Sequence, residues 1–298
     1  MSAGEGRFAG GPGLSVVVPA YNEAGAIGSV LDTLAAELRR LGPSWEIFVV
    51  DDGSTDGTGA AVAGRDGVTL IRHPVNRGYG ASLKSGIARA TKDLVLFYDA
   101  DGQFRPEDIE ALYDAAREAD MAAGKRGKDS NAPFLRRPGK RILSLTANYL
   151  AKRKIPDLNC GFRIVRRERL QQFVHLLPDG FSASTTLTLL LLKGGFDVRF
   201  VPVRVERRVG TSSVNIFADG FDTLMLIVRL VTLLDPLRVF LPASGMFFLA
   251  AIVWGLRYYL LGRGLSVATL FLLISGVLTF LIGLLADQVS ALRREYHR

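Results

Sequence analysis

Leu94-Val95-Leu96-Phe97-Tyr98-Asp99-Ala100-Asp101-Gly102-Gln103-Phe104 is the stretch on which the fold turns. Its first four residues form an uninterrupted apolar run, the pattern of a strand buried on both faces. The run ends in two carboxylates spaced i and i+2, then a glycine. In extended backbone those two positions share a face, so Asp99 and Asp101 can share one hard divalent cation. Such a cation takes oxygen ligands and commonly joins one or two carboxylates to the phosphates of a substrate. Strand-end crevices are also where open α/β sheets bind ligands. Two solvated turn aspartates would give the same short pattern, so the flanking chain has to decide between the readings.

Upstream, Leu14-Ser15-Val16-Val17-Val18-Pro19 reads as a first buried strand, and Ala20-Tyr21-Asn22-Glu23 as the loop after it. Ile27, Val30, Leu31, Leu34 and Leu38 then recur at helical spacing up to Leu41, where Gly42-Pro43 stops the helix. Glu46–Val50 is a second strand, running into Asp51-Asp52-Gly53-Ser54-Thr55-Asp56-Gly57-Thr58. A short helix, a strand at Val68–Ile71, and Asn76-Arg77-Gly78-Tyr79-Gly80 opening a helix to about Ala90 lead into the strand that ends at Asp99. Strands alternating with helices predict a mostly parallel, doubly wound α/β sheet. Downstream, Pro106 opens a helix to about Glu118, and Met121–Gly124 is a further strand. Asp157–Val165 and Val198–Val205 read as strands completing the domain, with a buried helix at Thr185–Leu192 between them.

The charge is uneven. The chain of 298 residues carries a net +8, yet Lys125–Arg169 alone holds fourteen Lys and Arg against three acidic residues. Such a block suits nucleic acid, anionic lipid or a phosphorylated substrate. Within it, residues 125–140 read as a loop, and Ile142–Leu150 as a basic, apolar helix suited either to a membrane surface or to ordinary core packing. The single cysteine, Cys160, excludes an intramolecular disulfide, fits a reducing compartment, and reads as a small buried residue. His73 and His175 show no pattern of a metal site or a base. Residues 1–13 are Gly-rich, read as a disordered leader, and have no signal-peptide core.

Apolar residues make up 48% of the chain and concentrate in its tail. Val239–Tyr259 and Ser266–Ala286 are each long enough to span a bilayer, which takes roughly 20 residues. The six-residue link Leu260–Leu265 permits only a hairpin over 239–286, so both hairpin ends lie on one side. Arg293, Arg294 and Arg298 in the tail, 287–298, make that side cytoplasmic, so the chain is expected in the cell (inner or plasma) membrane with its preceding domain on the cytoplasmic face. Residues 214–238 are apolar but broken by Asp219, Asp222 and Arg229, which reads as an interfacial amphipathic helix. A charge at mid-bilayer costs about 2.5–3.5 kcal/mol.

Three strand-end motifs, Val18-Pro19-Ala20-Tyr21-Asn22-Glu23, Asp51–Thr58 and Asp99-Ala100-Asp101, together with Asn76-x-Gly78-x-Gly80, resemble the inverting family-2 nucleotide-sugar glycosyltransferases. The likeness covers about residues 14–215, and the domain it defines runs over 14–213. With the amphipathic segment and the hairpin, the chain looks like the branch that makes polyprenyl-phosphate sugars on dolichyl or undecaprenyl phosphate.

The resemblance implies a GT-A catalytic domain, Rossmann-like, and inverting transfer of a hexose from UDP- or GDP-sugar to a polyprenyl phosphate. It also implies that Pro19, Tyr21, Glu23, Asp51 or Asp52, and Ala100 hold the nucleotide sugar. Asp99, Asp101 and Gln103 would bind Mg²⁺ or Mn²⁺ and the donor diphosphate. Gly124-Lys125-Arg126 resembles the family's Gly-Ser-Arg, and Lys140–Asn148 its Lys/Arg-rich, Ser-bearing helix, so Arg126, Lys140 and Ser144 would hold the lipid phosphate. Arg207-Arg208-Val209-Gly210-Thr211-Ser212-Ser213 resembles Arg-x-x-Gly-x-Ser-Lys, with Ser213 where the lysine would stand. Arg207, with Arg208 the neighbouring alternative, would grip phosphate of donor and acceptor. Asp99, Asp101 and Arg126 are thus the expected catalytic set.

A lipid monophosphate is already anionic at neutral pH and can attack without a strong protein base. Two polyanions must then be brought in line, which takes cations on both. A processive synthase is disfavoured, because no Gln-x-x-Arg-Trp motif is present and two spans are too few for a channel. A non-catalytic nucleotide-sugar binder leaves the carboxylate pair without use. A nucleic-acid binder fits the basic block but not its sparse aromatics, so no nucleic-acid partner is expected; a homo-oligomer is allowed.

Overall fold

In the computed structural model, the described residues are 6–127, 145, 148–149, 154–206, 235–264 and 266–295. They fall into two compact units, one built from 1–147 with 153–216 and the other from 148–152 with 217–298.

The first unit is organised on a seven-stranded sheet: β1 (Leu14–Ala20), β2 (Trp45–Asp51), β3 (Val68–Arg72), β4 (Leu94–Phe97), β5 (Met121–Arg126), β6 (Arg163–Arg166) and β7 (Val198–Val203). The strand order is β3-β2-β1-β4-β6-β5-β7. β1 pairs in parallel with both β2 and β4, with Val17 opposite Phe48 and Phe97. All four β4 residues are buried, as the unbroken apolar run requires. The expectation of a mostly parallel sheet holds, with one exception in β6. That strand runs antiparallel to β4 and β5, and Arg163 pairs with Phe97 on one side and Ala123 on the other. The segment expected as one strand over 157–165 is therefore a loop followed by a four-residue strand. This reversal carries Asn159-Cys160-Gly161 to the same sheet edge as the end of β4.

The helices follow the apolar periodicity. α1 (Ile27–Leu41) buries Ile27, Val30, Leu31, Leu34 and Leu38, and stops at Gly42, whose φ of 85° lets its N–H reach the Leu38 carbonyl. α2 (Thr58–Val62) and α3 (Tyr79–Ile87) follow β2 and β3. α4 (Asp108–Glu118) begins two residues past Pro106, and α5 (Arg167–Phe173) follows β6 directly. α6 (Ala183–Lys193) has Ala183–Leu191 buried, which makes it a core helix.

The leader differs from expectation. From Gly6 on it is docked: Phe8 is 3% exposed, its N–H donates to the Leu41 carbonyl, and its ring lies 4.5 Å from that of Tyr113. Arg7 and Arg117 cover that ring at 5.3 and 5.9 Å. One buried aromatic with a cation cover on its face is enough to anchor a Gly-rich segment.

The second unit contains α7 (Leu237–Leu260) and α8 (Val267–Glu295), which enclose the expected spans 239–259 and 266–286. Both are long and apolar enough to cross a membrane, and only 17% of each apolar window is buried. They meet through small residues. A Cβ on Gly283 would lie 2.5 Å from Phe240, one on Gly255 2.8 Å from Thr269, and Ser244 Oγ donates to the Gly276 carbonyl at 3.0 Å. Close backbone approach of this kind is how helices pack in lipid. The interfacial helix expected over 214–238 lies outside the described residues as far as 234.

A candidate active site at the ends of β1, β2 and β4

The loops after β1 and β2 are stitched into one body. Asn22, in the left-handed region at φ 55°, donates its N–H to Ser54 Oγ at 3.0 Å and accepts from the Thr55 N–H at 2.9 Å. The Glu23 and Ala24 N–H groups reach Thr58 Oγ1 and Asp56 Oδ2 at 2.9 and 3.0 Å. Tyr21 stands 47% exposed on this frame, and Pro19 is half-buried beneath it.

The two neighbouring aspartates have different surroundings. Asp51 Oδ1 accepts from the Ser54 N–H at 2.9 Å, and Arg72 Nε is 4.0 Å from its Oδ2. Asp52 is engaged inside the domain: it accepts from the N–H groups of Arg77 and Gly78 at 3.0 and 2.8 Å, and His73 Nδ1 lies 2.6 Å from its Oδ1. His73 Nε2 in turn lies 2.8 Å from Ser85 Oγ. The histidine for which the sequence showed no pattern is thus a buried link between β3 and α3.

Asp99 and Asp101 follow β4 as the sequence predicted. Gly102, at φ 69°, turns the chain, and the Gln103 N–H folds back onto Asp101 Oδ1 at 3.1 Å. Tyr79 donates its hydroxyl to Asp99 Oδ1 at 3.2 Å. Burial, followed by the charge of Asp101, pushes the Asp99 carboxyl up to about 6. Burial, followed by the charge of Asp99, pushes the Tyr79 phenol up as well. Ala100 is 3% exposed and packs in the core.

Arg126, at the end of β5, is held by a fork. Its Nε and Nη2 donate to the two oxygens of Asp157 at 2.7 and 2.9 Å, and its N–H adds a third bond at 3.2 Å. Burial would raise Asp157, but the Arg126 hydrogen bonds outweigh it and hold the carboxyl below its usual range. Arg163 is fully buried. It donates to the Cys160 carbonyl, to the Ser184 carbonyl at 2.7 Å and to Thr188 Oγ1 at 2.8 Å, tying the loop before β6 to α6. Gly161 lies so close to the carboxylate that a Cβ there would come 2.9 Å from Asp99 Oδ2 and from the Tyr79 hydroxyl. Burial pushes the Cys160 thiol up to about 11, which leaves it unsuited to act as a nucleophile.

Of the sequence-predicted residues, Asp99, Asp101 and Gln103 therefore follow β4 and Arg126 ends β5, two strands away in the sheet, while Pro19 and Asp51 lie at the ends of β1 and β2 and Tyr21 and Glu23 in the loop after β1. Lys140, Ser144 and Arg207 lie outside the described residues. The root of the Arg207 segment is described: the Glu206 N–H donates to the Gln103 carbonyl at 2.9 Å, and Phe104 bridges Val205. Val205 and Glu206 thus lie against the turn that follows the carboxylate pair. Sequence reasoning passed over Tyr79, Asp157, Gly161 and Arg163. The Tyr79 position lay inside a recognised glycine motif and was the one with a signal.

Among the described residues no three His, Cys, Asp or Glu side chains form a cage for a metal. The donor set nonetheless fits a magnesium-like ion: two carboxylates that raise each other's affinity for positive charge, with remaining positions left for substrate oxygens.

Residues 15–173 match the family model for glycosyl transferase family 2, and residues 235–292 match the GtrB C-terminal hairpin. The chain belongs to glycosyl transferase family 2. Within that family it joins a catalytic domain to a GtrB-type hairpin. It is 30% identical over 305 residues to the undecaprenyl-phosphate 4-deoxy-4-formamido-L-arabinose transferase of Pseudomonas paraeruginosa, covering 93% of this chain and 85% of that one. It is 33% identical over 220 residues to the polyprenol monophosphomannose synthase of Mycolicibacterium smegmatis, covering 67% and 80%. The fold is that of the crystal structure of glucosyl-3-phosphoglycerate synthase from Mycobacterium tuberculosis in complex with Mn²⁺, UDP and glucosyl-3-phosphoglycerate. That comparison gives a TM-score of 0.59 at 22% identity over 75% of this chain and 80% of that one.

Proposed function

We propose that the protein transfers a hexose from a nucleotide sugar to the phosphate of a membrane polyprenyl phosphate, with inversion, on the cytoplasmic face of the membrane. The observation that carries this is the Asp99–Asp101 pair at the end of β4 in a chain that resembles an undecaprenyl-phosphate transferase from catalytic domain through hairpin. Pro19, Tyr21, Glu23 and Asp51 cradle the nucleoside, where a carboxylate accepts from base N–H groups or ribose hydroxyls. Asp99, Asp101 and Gln103 would hold Mg²⁺ or Mn²⁺, whose charge offsets the negative charge building on the leaving diphosphate. Tyr79 orients Asp99 for that role. Arg126, held by Asp157, offers a fixed guanidinium to an anionic oxygen, and Lys140, Ser144 and Arg207 complete the phosphate grip. The lipid phosphate is its own nucleophile, so the bond from anomeric carbon to leaving phosphate breaks as the bond to the lipid phosphate forms, and no proton need move.

The hairpin supports this orientation. Its two ends would share a side, and Arg293, Arg294 and Arg298, at the C-terminal end of α8 and just beyond it, favour the cytoplasm. The test is direct. The purified full chain with Mn²⁺ or Mg²⁺, a panel of nucleotide sugars and undecaprenyl phosphate is expected to yield a lipid-linked sugar, and Asp101→Ala to abolish it. Absence of product across the panel overturns the reading.

A further inference from the structure

Phe181 is 87% exposed, yet it is firmly held. Its ring stacks on that of Tyr79, with centroids 5.7 Å apart and planes 16° from parallel, and the Tyr79 hydroxyl donates to Asp99. The loop that carries it is pinned against the start of α3. The Ala81 N–H donates to the Asp179 carbonyl at 3.0 Å, Lys84 Nζ pairs with Asp179 at 2.7 Å, and a Cβ on Gly78 would lie 2.6 Å from that same carbonyl. A large apolar ring fixed in the open, separated from the Asp99 carboxylate by the Tyr79 ring it stacks on, is a surface that a ligand can cover.

The strand order says which part of the ligand. β2 and β1 lie on one side of β4, and β6 and β5 on the other. Pro19, Tyr21 and Asp51 are on the first side; Gly161 and Arg126 are on the second. A nucleotide sugar is a linear sequence of base, ribose, diphosphate and sugar. With the nucleoside over β1 and β2 and the diphosphate at Asp99 and Asp101, the sugar extends toward β6. Tyr79 meets the site there: a Cβ on Gly161 would lie 2.9 Å from its hydroxyl, and Phe181 stacks on its ring. The C–H bonds on one face of a hexose are weakly positive, and they suit the negative face of an aromatic ring.

We infer that Phe181, propped by Tyr79, is the platform on which the donor hexose stacks, and so a specificity-determining residue for the sugar. This rests on the donor placement in the proposed function. The experiment uses the full chain in detergent with Mn²⁺ and measures binding of UDP, UDP-glucose, GDP and GDP-mannose, with melting temperature recorded alongside. For the base that the wild type accepts, Phe181→Ala is expected to weaken the nucleotide sugar at least fivefold while leaving the nucleoside diphosphate and the melting temperature unchanged, and Phe181→Trp to retain sugar binding. Equal weakening of sugar and diphosphate, or no change in either, overturns the inference. A raised KM for undecaprenyl phosphate with donor binding intact overturns it in favour of an acceptor contact. A wild type that binds none of the four overturns the donor placement itself, a result separable from the rest.

Discussion

His73 Nδ1 lies 2.6 Å from Asp52 Oδ1, and that one carboxylate also accepts the N–H groups of Arg77 and Gly78. The second aspartate of the Asp51-Asp52 pair thus builds the site's frame, tying the end of β2 to the glycine loop that carries Tyr79. Asp52→Ala leaves two part-buried N–H groups and a buried imidazole without their acceptor. The expected cost is about 3 kcal/mol, a fall in melting temperature on the order of 6–12 °C. Asp52→Asn keeps one acceptor oxygen and is expected to lose less. Thermal melts of the full chain check both, and equal melting of wild type and Asp52→Ala would contradict this account.

Metal affinity is expected to follow the proton on Asp99. Its folded carboxyl is raised from an ordinary 3.8 to about 6. The protonated form's contribution to apo stability is therefore fully present below 3.8 and lost as pH rises through about 6. Metal binding needs the carboxylate and runs the opposite way. Mn²⁺ affinity should be flat above pH 6 and fall about tenfold per pH unit below it. Tyr79→Phe removes a hydrogen bond that favours the charged form and should move the inflection to higher pH. Mn²⁺ titrations between pH 5 and 8 read both effects, and a flat profile would count against the assignment.

The two glycines of Asn76-x-Gly78-x-Gly80 serve close approach. A Cβ on Gly80 would run into the Pro178 carbonyl oxygen and lie 2.9 Å from the Asp179 carbonyl carbon, all of it backbone. Gly80→Ala must push the Phe181 loop away, so both a lower melting temperature and at least tenfold lower activity are expected. Gly180→Ala, in that same loop, has open space around its Cβ and should melt like the wild type. If the two variants behave alike, the packing argument fails.

The parts legible in the sequence were those fixed by local pattern. The four-residue run of β4, the spacing of Asp99 and Asp101, the stripe of α1 with Gly42 behind it, and both hairpin helices each depend on neighbours within one element. What was not legible depends on encounters across the chain. Nothing near Arg163 says that β6 is inserted antiparallel between β4 and β5, and so the strand expected over 157–165 is longer than the Arg163–Arg166 strand of the fold. Asp157 counted only as one acid among many bases, because its partner Arg126 is separated from it by the basic segment. Phe8 gave no periodicity in a Gly-rich leader, although a single ring sufficed to dock it.

Arg126 and Asp157 are expected to act as a unit. The fork of two bonds at 2.7 and 2.9 Å fixes the plane of the guanidinium, and a lysine ammonium cannot reproduce it. Arg126→Lys should therefore lower kcat/KM at least tenfold although the charge is kept. Asp157→Asn leaves the arginine in place but weakens the acceptor that orients it, and it should lose activity without losing the arginine's charge. If orientation is what the pair supplies, the double variant should be scarcely worse than the poorer single one. A coupling of at least 1 kcal/mol is then expected, within the range for residues in direct contact. Strictly additive losses would mean that Arg126 grips its anion unaided and that Asp157 serves the loop before β6 alone. Steady-state rates for the four proteins, each referred to the fraction folded, distinguish the two outcomes.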